Sequence, residues 1–215
     1  IMGVIGANGA GKSTTIKLIM NLLHLDGGAI KIFGLDSRKH EQEIKQKIGF
    51  VYDDNHFYEE LTMEQMTGVV APFYNKWSWE TYRQYVQRFV LPPKKKIKTF
   101  SRGMKMKYSL AVALSHGAEL LVMDEPTSGL DPIVRSELLD ILSDVIQDER
   151  CSVLFSSHIT SDLDRIADYI TLIQEGRIVF SESKEKLFET YSLVKGERGL
   201  LDAGLSPYLV GIREN

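Results

Sequence analysis

The segment Gly6-Ala7-Asn8-Gly9-Ala10-Gly11-Lys12-Ser13 fits the pattern G-x-x-x-x-G-K-[ST] and runs on into Thr14. Glycines there let successive backbone N–H groups turn inward around phosphate oxygens at a helix N-terminus. A lysine adds a point charge toward the β- and γ-phosphates, and a serine hydroxyl suits Mg²⁺. The chemistry implied is capture of a nucleoside triphosphate with its metal. A second run, Leu120-Leu121-Val122-Met123-Asp124-Glu125-Pro126, brings two adjacent carboxylates to the end of an apolar stretch. Neighbours on a strand point to opposite faces, so the two should differ in role: Asp124 holding the hydration shell of Mg²⁺, Glu125 polarising an attacking water. His158 follows a third such stretch, Ser152 to Ser157, and could reach the γ-phosphate from that strand end. His24, His40, His56 and His116 read as surface or structural residues.

These groups act together only if the chain carries them to one edge of a sheet. Ile1 to Ile5 reads as a buried strand entering the glycine loop, and Ile16, Ile19, Met20 and Leu23 then recur at helical spacing. Ala29 to Phe33 and Ile48 to Tyr52 are short apolar strands, with a short helix expected around Glu41 to Lys47. From Thr62 the period changes. Thr62 and Gln65 form a capping box, Tyr82, Tyr85, Val86 and Phe89 an apolar helical stripe, and Pro92-Pro93 a break, so Tyr58 to about Ser115 is expected to be mostly helical. The α/β pattern resumes at Leu120 to Asp124, continuously apolar as in a parallel sheet covered on both faces. Asp131 is a good N-cap before Pro132, with Val134, Leu138, Ile141, Leu142 and Val145 on one helical face. Tyr169 to Ile173 and Arg177 to Phe180 flank a turn at Gln174-Glu175-Gly176 and should form a hairpin near the sheet's edge.

Bulk properties narrow the class. A formal net charge of −3 over 215 residues provides no global attraction to nucleic acid or an anionic bilayer. The single cysteine, Cys151, can make neither an internal disulfide nor a thiolate metal cluster, which fits a reducing compartment. No apolar run is long enough to span a bilayer, and the chain is expected to be cytoplasmic. Ile1 precedes Met2 and the opening strand is already under way, so a natural N-terminal segment is expected to be missing.

In their order as well as their content, these motifs resemble the ABC ATPase family, from Ile1 to about Tyr191. Phe100-Ser101-Arg102-Gly103-Met104 looks like that family's signature, usually Leu-Ser-Gly-Gly-Gln. Ser128-Gly129-Leu130-Asp131 resembles its D-loop, and His158 stands at its switch histidine. The resemblance implies a RecA-like P-loop NTPase core at about 1–57 and 118–191. It also implies an inserted helical subdomain at about 58–117, a peripheral β-hairpin, and an extension at 192–215. It implies ATP and Mg²⁺ as ligands, Ser101 and Gly103 touching phosphate, and Asp131 at the nucleotide interface. Arg102 and Met104 depart from the usual signature. Asp53 stands where the family usually has glutamine, so the resemblance implies either a carboxylate contact with the Mg²⁺ hydration shell or, together with Asp54, a solvated loop acid. Further implications are a second subunit, the same or a different chain, arranged head to tail, and a separate transmembrane permease that holds the pair at the cytoplasmic face. The Ser-Arg-Gly-Met variant resembles ATPases of small bacterial exporter systems, so ATP hydrolysis is expected to energise export.

A soluble ABC ATPase acting on nucleic acid or the ribosome is the competing class. The chain has neither a long coiled coil, nor cysteine zinc sites, nor a second cassette, and direct nucleic-acid binding is not expected. Lys94-Lys95-Lys96 with Lys98 reads as a solvated or headgroup-facing loop. A GTPase is disfavoured because Asn75-Lys76-Trp77-Ser78 has serine where guanine recognition needs aspartate.

Overall fold

A computed structural model describes residues 1–52, 57–147 and 151–192. Its frame is a six-stranded sheet made of β1 (Met2–Ile5), β4 (Ile48–Val51), β5 (Leu120–Asp124), β6 (Ser152–Ser157), β7 (Tyr169–Gln174) and β8 (Arg177–Ser183), in the order β4-β5-β6-β1-β7-β8. The first five in that order run parallel and β8 closes the edge antiparallel. Parallel pairing puts the C-terminal ends of β1, β5 and β6 side by side, with Val4 and Asp124 both opposite Ser156. Three chain segments far apart in sequence thus emerge on one edge. β7 and β8 turn through Glu175-Gly176, both left-handed at φ 50° and 72°, as a two-residue hairpin turn matched to strand twist requires.

Each face of the sheet is covered. β5 alternates: Val122 packs with Ile16 of α1 (Lys12–Ile19), with Met20 at the cap just past it and with Ile44 of α2 (Glu41–Lys45). Leu121 and Met123 join the larger core with α5 (Arg102–Leu114) and α6 (Pro132–Gln147). That core continues into α3 (Met63–Val70) and α4 (Trp79–Arg88). The inserted helices are therefore packed onto the sheet through α5, whose Ala113 comes so close to β4 that a Cβ on Gly49 would lie 2.8 Å from its carbonyl oxygen. Inside the insertion, Thr67 Oγ1 donates to Met63 O at 2.8 Å and lies 2.7 Å from Tyr82 Oη and 3.0 Å from Tyr108 Oη, joining three helices through one buried hydroxyl. The capping box at Thr62 and Gln65 is present, and Asp131 caps α6 by accepting from Ile133 N and Val134 N at 3.1 and 3.0 Å.

Two local expectations change. α1 ends at Ile19 because Asn21 turns left-handed (φ 55°), and Leu23 lies exposed beyond the helix. The strand expected at Ala29 to Phe33 shortens to β2 (Lys31–Ile32), which forms a separate two-stranded hairpin with β3 (Leu35–Asp36) across a left-handed Phe33-Gly34 turn. Two further helices have no clear pattern in the sequence: α7 (Thr160–Ile166), packed against β6 and α6, and α8 (Lys184–Thr190), against the edge strand β8.

The end of α4 provides a stability test. Leu91 N donates to Val86 O at 3.0 Å and Val90 N to Gln87 O at 3.1 Å, a pairing that needs a left-handed residue between them. That residue is Val90, at φ 52° and 85% exposed. A β-branched side chain there is strained by about 1–2 kcal/mol, partly offset in a Gly variant by extra unfolded-state entropy. Val90→Gly should therefore stabilise the fold by roughly 0.5–1 kcal/mol. Chemical denaturation should show a higher midpoint with an unchanged slope; a lower midpoint would contradict the strain.

Candidate active site

β1 ends at Ile5 and the chain turns through the glycine loop into α1. Gly6 has to be glycine, since a Cβ would sit 2.4 Å from Ile173 O, and Gly9 and Gly11 are left-handed at φ 81° and 111°. Gly11 caps α1 without a side-chain bond to the first turn, so the N–H groups at the start of the helix are left to an external acceptor. Lys12 is 5% exposed, and its Nζ donates to Gly6 O at 2.8 Å and Ala7 O at 3.2 Å and pairs with Glu125 Oε1 at 3.2 Å. The ammonium is thus held across the mouth of the loop.

Ser13 Oγ donates to Asp124 Oδ1 at 3.0 Å, and the same oxygen accepts from Ser156 Oγ at 2.7 Å. Asp124 is buried at the end of β5, and Ser156 on β6 holds it from the neighbouring strand. The Ser156 hydroxyl also accepts from Glu125 N at 2.9 Å. Glu125 itself has left the strand. Its backbone is left-handed (φ 49°), so the expected opposite-face alternation does not separate the two carboxylates; a turn does, and it points Glu125 at His158, with Oε2 2.5 Å from Nδ1.

Asn8, Gly9, Gly11, Lys12, Ser13, Thr14, Glu125 and His158, together with Ser128, line one pocket of about 310 Å³. Gly6, Ala7 and Ala10 complete the loop behind it, Ala10 O accepting from Gly176 N at 2.9 Å. Asp124 stands below the pocket, bonded to Ser13. Ser101, Gly103 and Asp131 are also absent from this lining. Ser101 is exposed and caps α5 by accepting from Met104 N at 3.2 Å. Gly103 is buried against α6, where a Cβ would meet Val134 Cγ1 at 2.7 Å, so its glycine has a packing reason within its own chain. Arg102 lies over the Ser128–Asp131 loop: a Cβ on Gly129 would be 2.4 Å from its Nη1. Asp53 lies outside the described residues, as does His56. On the neighbouring strand end, the Tyr52 hydroxyl raises the Lys17 ammonium above its ordinary pKa, linking α1 to β4. His116 is fully buried with its ring 3.9 Å from that of Tyr74, and burial lowers its pKa to about 4, so it is a neutral core ring.

Ser156 and Ser128 were not among the expected site residues. Two adjacent serines closing the apolar stretch Val153-Leu154-Phe155 are the sequence signal for the first.

Among known proteins, the ABC transporter family model matches residues 1–128. The bacitracin transport ATP-binding protein BcrA of Bacillus licheniformis is 34% identical over 181 residues, covering 83% of this chain and 59% of its own. The lantibiotic transport ATP-binding protein SrtF of Streptococcus pyogenes is 34% identical over 206 residues, covering 92% of this chain and 88% of its own. The chain spans 58% to 65% of the length of three other curated relatives, two from Bacillus subtilis and one from Enterococcus faecalis. A solved ATP-binding subunit of an ABC transporter superposes with a TM-score of 0.78 at 29% identity, over 87% of this chain and 80% of that one. With the phosphate loop, the carboxylate pair and the histidine on one strand edge, and more than half of its length matched, the chain belongs to the ABC transporter family, among its ATP-binding domains.

Proposed function

We propose that this chain binds ATP with Mg²⁺ at the Gly6–Thr14 loop and hydrolyses it. As one of two such subunits at the cytoplasmic face of a membrane, it would energise export through a separate permease. The observation that carries this reading is the meeting of Lys12, Ser13, Glu125 and His158 around one pocket, with Asp124 bonded to Ser13. The glycine loop and the uncapped first turn of α1 offer N–H groups to phosphate, and Lys12 exchanges Glu125 for the β- and γ-phosphate oxygens. That exchange releases the Glu125 carboxylate to take a proton from a water. The water oxygen bonds to the γ-phosphorus, the bond to the β–γ bridging oxygen breaks, and ADP and phosphate leave. His158 orients Glu125 through the 2.5 Å contact.

The Ser13 hydroxyl and the Asp124 carboxylate, 3.0 Å apart, are oxygen donors of the kind Mg²⁺ prefers. Among the described residues no cluster of three or more His, Cys, Asp or Glu side chains could hold a metal, so phosphate and water would complete the shell. Bound there, Mg²⁺ supplies positive charge to the phosphate oxygens. Asp53, with its carboxylate, would touch the same hydration shell.

Ser101, Gly103 and Asp131 stay away from their own pocket, which suits a head-to-tail dimer of identical or related chains in which each signature completes the other subunit's site. Among the described residues no helix is long and apolar enough to cross a membrane. The names of the relatives, bacitracin and lantibiotic transport proteins, point to export of a peptide-like compound. ATPase activity should rise when the chain is co-assembled in vesicles with the membrane protein encoded beside it, and should not respond to added DNA or RNA. Stimulation by nucleic acid with no response to the permease would reverse this reading.

A further inference from the structure

Asp162 is 1% exposed and lies in the first turn of α7, four residues beyond His158. A buried carboxylate is costly unless its charge is paired and its lone pairs are satisfied. Here both oxygens are engaged, and by groups from separate segments. Thr127 Oγ1 donates to Oδ2 at 2.7 Å. Arg135 donates through Nε to Oδ1 at 2.7 Å, with its Nη2 2.6 Å from the same oxygen and 2.9 Å from Ser161 Oγ. Thr127 is itself 1% exposed and stands two residues past Glu125, while Arg135 lies in the first turns of α6, four residues past Asp131.

One carboxylate therefore joins the loop that leaves Glu125, the helix that leaves Asp131, and the helix that follows His158. Glu125 has turned off β5 with a left-handed backbone and keeps one backbone bond to the neighbouring strand, its N–H donating to Ser156 O at 3.2 Å. Lys12 and His158 hold its carboxylate, while its backbone is held by Ser156 on one side and by the Thr127 anchorage on the other, the latter reinforced by Ser128 N donating to Glu125 O at 3.0 Å.

We propose that Asp162 is a positioning residue for ATP hydrolysis, clamping Thr127 and Arg135 so that Glu125 stays against His158 and the Ser128–Asp131 loop keeps its path. It is not among the residues that line the pocket, and its side-chain partners are Thr127 and Arg135, so it acts through these neighbours. The proposal rests on the ATPase reading above. Its signature is a split between chemistry and binding: the phosphate loop is anchored elsewhere, so loosening the clamp should misplace the carboxylate while the nucleotide still binds. A misplacement of about 1 Å at a reacting group can cost on the order of a hundredfold in rate.

The test uses the full chain with ATP and Mg²⁺. Asp162→Asn, which presents an amide to Arg135, should lower kcat between about tenfold and a hundredfold and leave KM for ATP within about twofold. Thr127→Val should show the same split with the carboxylate intact, and Thr127→Ser, which keeps the hydroxyl, should recover most of the rate. Should Asp162→Asn fail to fold, the Thr127 pair decides alone. Unchanged kcat in both Asp162→Asn and Thr127→Val, or rate losses matched by equal losses of ATP affinity, would overturn the clamp. Absence of ATPase activity in the unmodified chain, alone and with its permease, would instead reject the functional reading beneath it.

Discussion

Glu125→Gln should bind ATP and fail to turn it over. The amide keeps the shape of the side chain and can still meet His158, but it cannot accept a proton from water, and it removes the charge that pairs with Lys12 at 3.2 Å. A rate loss of about a thousandfold corresponds to roughly 4 kcal/mol of transition-state stabilisation. Lys12→Ala should differ in kind. It deletes the buried ammonium that bridges Gly6 O, Ala7 O and Glu125, so ATP affinity should fall along with the rate. Single-turnover hydrolysis measured beside equilibrium ATP binding separates the two patterns. Near-normal single-turnover hydrolysis by Glu125→Gln would remove Glu125 from the role of water activator and leave His158 or a backbone group to account for it.

The strand edge that brings these groups together was readable because parallel strands buried on both faces leave uninterrupted apolar runs, as Leu120–Asp124 does, and because the phosphate loop has a local backbone requirement that only glycine meets at φ 81° and 111°. What escaped the sequence is non-local or too short. β2 and β3 have two residues each, below any detectable alternation, and their turn places Phe33 at a left-handed position usually taken by Asn, Asp or Gly. α7 has seven residues and so no usable period. Asp162 is separated from Thr127 by 35 positions and from Arg135 by 27, and they meet because β5 and β6 are neighbours in the sheet order. Glu125 shows a subtler limit. The two carboxylates do differ in environment, but through a left-handed turn after β5 and not through strand alternation, and no residue type at 125 announces a positive φ.

Mixing two inactive variants should restore activity, and this is the sharpest test of whether the site is shared. Ser101 is exposed at the N-terminus of α5 and absent from the lining of its own chain's pocket, so a role at phosphate requires a second chain. Ser101→Arg fills that position with a bulky cation, and Lys12→Ala disables the loop; in a head-to-tail dimer, each alone leaves both sites with one defective half. In the mixed dimer, one site combines the intact loop of the Ser101→Arg subunit with the intact signature of the Lys12→Ala subunit, while the other has both defects. With random pairing, half the dimers are mixed and half their sites are sound, so recovery should approach roughly a quarter of the wild-type rate if sites act independently of one another. Sites that must fire together would recover less, and the deficit itself would measure their coupling. The assay is ATP hydrolysis in permease-containing vesicles across a series of mixing ratios, with maximal activity expected near equal amounts. Gly103 provides the internal control: its packing against Val134 predicts that Gly103→Ala disturbs α5 against α6 in the isolated chain, visible as lost thermal stability, whereas Ser101→Arg should cost only the exposed helix cap on Met104 N, about 1 kcal/mol. Activity that stays at the single-variant level at every ratio, with both proteins folded and permease present, would mean that each chain completes its own site, and the exposed Ser101 would then be only a helix cap.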